Sequence, residues 1–245
     1  MYFNHLTANL DNCDPGIMDA VAAHREIISF DYRGVGATTG KQGESIADMA
    51  KDGIAFIHAL GYYQVDIVAF SMGGFITQEI LLLEPQLVRK AILAGTGPRG
   101  GAGISAVVGR TYGDIFKGLI SFRDPKFYLF FNQDKIGKAA AREFLSSLKE
   151  RKESRDKKVK LYALKKQLRA IKKWGNEKSM DLSVFKLPVF VANGDNDRMV
   201  PSPLSNDMAM RFPNAQLKIY PNSGHGGIFQ YHEEFIPQAI EFLTR

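Results

Sequence analysis

Three short stretches of this 245-residue chain carry side chains able to act together in nucleophilic chemistry. Ala69-Phe70-Ser71-Met72-Gly73-Gly74 sets a serine between an apolar run and a helical pattern. A serine on a tight strand-to-helix turn needs small residues two positions away on either side, because the backbone approaches itself there. Gly73 meets that need, and Ala69 meets it with one methyl more. A helix beginning after Ser71 aims its free N–H groups at the site, which favours a developing oxyanion. The plainer reading is a small-residue turn with no chemistry.

The second stretch, Asn193-Gly194-Asp195-Asn196-Asp197, also follows an apolar run. A carboxylate there orients a histidine and stabilises its charged form. Asp197 is the candidate and Asp195 the alternative, although Asn and Asp also form turns for their own sake. The third stretch is Asn222-Ser223-Gly224-His225-Gly226-Gly227. Its flanking glycines predict an exposed and mobile imidazole, against the plainer reading of a surface-loop histidine. His24 and His58 fall within helical patterns, and His232 begins the last one.

Each candidate sits just after a strand-like run. The runs are Val65–Phe70, Ala91–Ala94, Leu187–Ala192 and Ala215–Tyr220, preceded by Ile27–Phe30 before Asp31-Tyr32-Arg33-Gly34. Short, near-continuous apolar runs suit parallel strands covered on both faces. Helical patterns lie between them at Ile46–Leu60, Phe75–Leu83 and from Phe229 or Glu233 to Leu243. Alternation of strand and helix predicts an α/β fold with a mostly parallel, doubly wound sheet. Sites in such sheets form at the carboxyl ends of strands.

Residues 99–180 break the alternation. Helical stretches at Ile104–Phe116, Ala139–Arg151 and Val159–Trp174 follow a glycine-rich hinge at Gly97–Gly103. The segment holds 21 basic and 8 acidic residues, whereas the rest holds 11 and 18. It reads as a helical lid inserted into a core made of residues 1–98 and 181–245. Its aromatics Phe116, Phe127, Phe130 and Trp174 are candidates for the wall of an apolar substrate pocket. A charge balance confined to one segment argues against a nucleic-acid-binding face.

The order Ser71, Asp197, His225 matches the order of the catalytic triad in α/β-hydrolases. Together with Asn4-His5-Leu6, Phe30-Asp31-Tyr32-Arg33-Gly34-Val35-Gly36, Phe70-Ser71-Met72-Gly73-Gly74, Gly194-Asp195-Asn196-Asp197 and Gly224-His225-Gly226, it makes the chain resemble that superfamily. The likeness is to its cofactor-free esterase and non-haem haloperoxidase-like branch. The resemblance implies a serine hydrolase acting on a small ester or related acyl substrate through an acyl-enzyme. It implies oxyanion donors at the backbone N–H groups of Leu6 and Met72, with His5 holding that loop in place, and no metal or cofactor. Lactonase, carbon–carbon hydrolase, perhydrolase and acyltransferase readings share the same triad. A non-turnover ligand binder or an inactive truncated member is the alternative.

The resemblance also places an antiparallel hairpin ahead of the strand at Met1-Tyr2-Phe3, so this chain is expected to lack it. An uncovered sheet edge invites self-association. The absence of an 18-residue apolar stretch and of a signal-peptide pattern argues for a cytoplasmic protein without membrane insertion. The single cysteine, Cys13, excludes an internal disulfide.

Overall fold

A computed structural model describes all residues, 1–245. Five strands form one sheet: β1 (Tyr2–Phe3), β2 (Val65–Phe70), β3 (Val88–Ala94), β4 (Val189–Gly194) and β5 (Ala215–Tyr220). They lie in the order β1-β2-β3-β4-β5, and every pairing is parallel. No antiparallel N-terminal strand is present. The helices are α1 (Pro15–Ala22), α2 (Ile46–Ala59), α3 (Met72–Leu83), α4 (Val107–Ser121), α5 (Lys126–Leu129), α6 (Lys135–Ser147), α7 (Leu161–Gly175), α8 (Pro203–Arg211), α9 (Gly227–Gln230) and α10 (His232–Thr244). None is long and apolar enough to cross a membrane.

The sheet sorts its side chains by strict alternation, as a pleated strand must. Ile67, Ala69, Ala91, Leu93, Val189 and Val191 face one core with Ile46 and Met49 of α2 and Ile76 and Ile80 of α3. Phe70, Ile92, Ala94, Phe190 and Ala192 face the other core with Ile17 and Val21 of α1 and Phe235 and Phe242 of α10. Apolar residues on both faces of each central strand explain why these runs read as continuously hydrophobic.

The Ile27–Phe30 run is a correction to the sequence reading. Only Ser29 forms a bridge, parallel to Tyr2, with Tyr2 N–H donating to the Ile28 carbonyl. A single bridge and one backbone hydrogen bond to β1 do not extend into a ladder, so this run is not a strand.

Between β3 and β4 the chain forms α4 to α7, as the broken alternation predicts. This segment merges with both cores. Ala170, Ile171 and Trp174 of α7 join the first, whereas Phe127, Phe130, Phe131 and Phe144 join the second. Helix boundaries differ from the sequence reading where caps decide them. Asp134 caps α6 by accepting from Gly137 N, so α6 starts at Lys135 and not at Ala139.

Candidate active site

Ser71 lies between β2 and α3 with φ 55° and ψ −115°, a conformation that L side chains rarely adopt. The neighbouring glycines explain how the turn closes. A Cβ on Gly73 would stand 2.1 Å from the Phe3 carbonyl oxygen, and one on Gly74 would stand 2.5 Å from the Thr96 side chain. Strand β1 and the end of β3 therefore press directly on the first turn of α3. A residue held at a rare φ, ψ by such packing is a common feature of functional sites.

The structure brings all three chemistry-bearing candidates together. The loop after β5 carries His225, whose Nε2 lies 2.9 Å from Ser71 Oγ. Its Nδ1 lies 2.7 Å from Asp197 Oδ2, on the loop after β4. Asp197 Oδ1 accepts from Met199 N at 2.7 Å and Val200 N at 3.0 Å, so both carboxylate oxygens have fixed partners. Asp195, the alternative carboxylate, serves the loops instead. It accepts from Asn222 N and Ser223 N, tying the two loops together.

His225 is 4% exposed, contrary to the expectation of a free imidazole. Its ring packs on Phe70 at 5.0 Å and against Phe130 at 5.5 Å. The flanking glycines serve close packing. Gly226 N–H donates to the Phe130 carbonyl at 2.7 Å, and a Cβ on Gly224 would stand 2.8 Å from the same oxygen.

The loop after β1 carries Leu6, the residue expected to supply an oxyanion donor. Leu6 N–H has no acceptor in the chain. Met72 begins α3, so its N–H lies beyond the helix's own hydrogen bonds. The loop itself is tightly held. Asn4 Oδ1 accepts from His5 N at 2.8 Å, and Tyr32 donates its hydroxyl to the Asn4 carbonyl at 2.8 Å. Thr7 N–H donates to Gln167 Oε1 of α7 at 2.8 Å. His5 Nδ1 lies 2.7 Å from the Leu6 carbonyl oxygen, in line with a loop-holding role. Asn4, Tyr32 and Gln167 were missed as site residues. Tyr32 and Asn4 lie within quoted motifs, but nothing local marks Gln167, which is 160 residues from its partner.

The comparisons with known proteins converge on the same fold. The model of the alpha/beta hydrolase fold family matches residues 3–230. The chain belongs to the α/β hydrolase fold family. An alpha/beta hydrolase fold protein from Chitinophaga pinensis superposes with a TM-score of 0.91 at 34% identity, covering 99% of this chain and 87% of that one. The poly(3-hydroxyalkanoate) depolymerase of Ectopseudomonas oleovorans is 27% identical over 100% of this chain and 84% of its own length. A putative non-heme bromoperoxidase, BpoC, from Mycobacterium tuberculosis is 39% identical over 79 residues. That stretch is 32% of this chain and 30% of the relative's length.

In this α/β hydrolase a cavity of about 30 Å³ opens beside Ser71 and His225. His5, Leu6, Thr111, Phe130, Met199 and Val200 are among the residues that line it. Of the four aromatics expected in the wall, only Phe130 takes that place. Phe116 is 62% exposed on the outer face of α4. Phe127 is buried elsewhere, under the Arg123 guanidinium. Trp174 stacks on Phe75 at 4.3 Å and donates Nε1–H to Glu79, one layer behind the cavity. No group of three or more His, Cys, Asp or Glu side chains converges as a metal site requires.

Proposed function

We propose that this chain is a serine hydrolase of small ester or related acyl substrates. The supporting observation is the unbroken line from Ser71 Oγ through His225 to Asp197, at 2.9 and 2.7 Å in a buried setting. His225 Nε2 takes the Ser71 proton as Oγ attacks the acyl carbonyl. Asp197 holds the Nδ1–H tautomer and stabilises the imidazolium. The N–H groups of Leu6 and Met72 stabilise the oxyanion, each worth about 3–4 kcal/mol by comparison with other hydrolases. His225 then protonates the leaving alcohol, and a water molecule releases the acyl group by the same route.

The cavity beside Ser71 is narrow, about 30 Å³. Shaping substrate access is the role we assign to residues 99–180, as a lid over the core formed by 1–98 and 181–245. Gly100 and Gly103 hold left-handed backbone, φ 72° and 87°, where this segment leaves β3. The test is hydrolysis of short-chain p-nitrophenyl esters by the wild type and Ser71→Ala. Turnover that disappears in Ser71→Ala supports the reading. A folded wild type that cleaves no ester contradicts it and favours a non-turnover ligand binder.

A further inference from the structure

Helix α4 is turned the wrong way round for a helix that only fills space. It buries Thr111 and Asp114 and exposes Phe116, Leu119 and Ile120. An amphipathic helix ordinarily does the reverse. Asp114 has an evident partner in Arg198, beside Asp197. Thr111 has none: it is 1% exposed, its Oγ1 makes no hydrogen bond, and it lines the cavity next to Ser71.

A second polar atom in the same wall is also unpartnered. His5 is 3% exposed and its Nε2 makes no hydrogen bond. The Nδ1 of the ring faces the Leu6 carbonyl, which only accepts, so Nδ1 carries the proton. Burial first, and then the nearby Lys126 ammonium, lower the ring's pKa to about 3. The ring is therefore neutral and Nε2 presents a bare lone pair. Of the ten buried side-chain polar atoms without a partner, these two belong to residues lining the cavity beside Ser71, where a bound hydroxyl group can satisfy them.

The two atoms define what that ligand group is. His5 Nε2 only accepts, whereas Thr111 Oγ1 donates or accepts. A substrate hydroxyl satisfies both, donating to His5 and accepting from Thr111. A substrate ammonium is disfavoured because the Lys126 ammonium lines the same cavity. We propose that this site selects esters bearing a hydroxyl close to the scissile carbonyl, held between His5 Nε2 and Thr111 Oγ1. This rests on reading Ser71 as the nucleophile.

The experiment compares kcat/KM within matched ester pairs, following acid release by pH-stat. Methyl propionate is set against methyl lactate, methyl butyrate against methyl 3-hydroxybutyrate, and ethyl acetate against 2-hydroxyethyl acetate. In at least one pair the hydroxylated ester is expected to be favoured by about tenfold or more, the worth of one or two net hydrogen bonds. That ratio is expected to fall towards one in Thr111→Val and to recover in Thr111→Ser. His5→Phe supplies an independent second variant. A merely structural role would slow both members of a pair together and leave the ratio alone. Fluorophosphonate labelling of Ser71 is measured alongside. Labelling with no hydroxyl preference in any pair, or with a preference that Thr111→Val and His5→Phe both leave intact, overturns the inference while the nucleophile stands. No labelling and no cleavage overturns both.

Discussion

At Ser71 the backbone carries a strain that packing holds in place. A serine at φ 55° is held there by Phe3 and Thr96 pressing on Gly73 and Gly74. Ser71→Ala removes the hydroxyl and leaves the strain, so kcat is expected to fall by about 10⁴-fold or more with the fold retained. Ser71→Gly is equally inactive but relieves the strain, and is expected to melt above Ser71→Ala by thermal unfolding. Asp197→Asn tests the orienting carboxylate. It is expected to lower kcat by about 10³–10⁴-fold, because the amide presents the wrong group to His225 Nδ1–H. These three residues were legible in the sequence because each follows its own strand, and parallel strands deliver their carboxyl ends to one edge. The burial of His225 was not legible. Its glycines look like freedom until the Phe130 carbonyl, brought by a distant segment, is seen resting on them.

Among the elements, the junctions around the site are closer than side chains allow. Gly73→Ala would force a methyl to 2.1 Å from a backbone oxygen of β1. That oxygen cannot swing aside, so chemical denaturation is expected to show a loss of about 3 kcal/mol, the upper end for overpacking. Gly226→Ala meets the Phe130 Cβ at 3.1 Å, a contact that yields by a few tenths of an ångström. Its stability loss is expected to be about 1 kcal/mol, with a larger proportional fall in ester turnover as His225 shifts. The strands β2 to β5 and helices α2 and α3 were readable because hydrophobic period and turn residues agree. The pocket aromatics were not. An exposed Phe116 and a buried Thr111 invert the rule that apolar side chains face inward, and only the Arg198–Asp114 pair and the cavity explain which way α4 faces.

Over the whole molecule, the segment from α4 to α7 is fastened to the core by polar contacts as well as packing. Asp156 N–H donates to Asp11, Asn9 donates to the Lys157 carbonyl, and Gln167 holds Thr7. The Asp31 and Asp156 carboxyls meet beside Gly36, where a Cβ would lie 2.3 and 2.1 Å from them. Burial, and then the neighbouring Asp156 carboxyl, raise the Asp31 pKa to about 7. The unfolded chain releases that proton near the ordinary aspartate value of 3.8, so between about pH 4 and 7 the folded state holds the extra proton. Stability from the raised Asp31 pKa is therefore present below about pH 4 and lost as pH rises to 7, and the lowered pKa of Asp156 offsets part of it in the opposite sense. Asp31→Asn is expected to stabilise the fold by about 1 kcal/mol at pH 8, after discounting for solvent screening, and to flatten the profile between pH 4 and 7. A Tm series across pH 4–8 checks it. No local pattern announces this junction, since its carboxyls are 125 residues apart and each reads alone as a turn or solvated charge.

The most direct measurement is the intact mass of the protein after incubation with a fluorophosphonate, with Ser71→Ala alongside. One adduct on the wild type, mapped to the Ser71 peptide and absent from the variant, is the expected result. It requires Ser71, His225 and the Leu6 and Met72 amides to work as one assembly. An unlabelled, folded wild type, or an adduct that persists in Ser71→Ala, would contradict the assignment of Ser71 as the nucleophile.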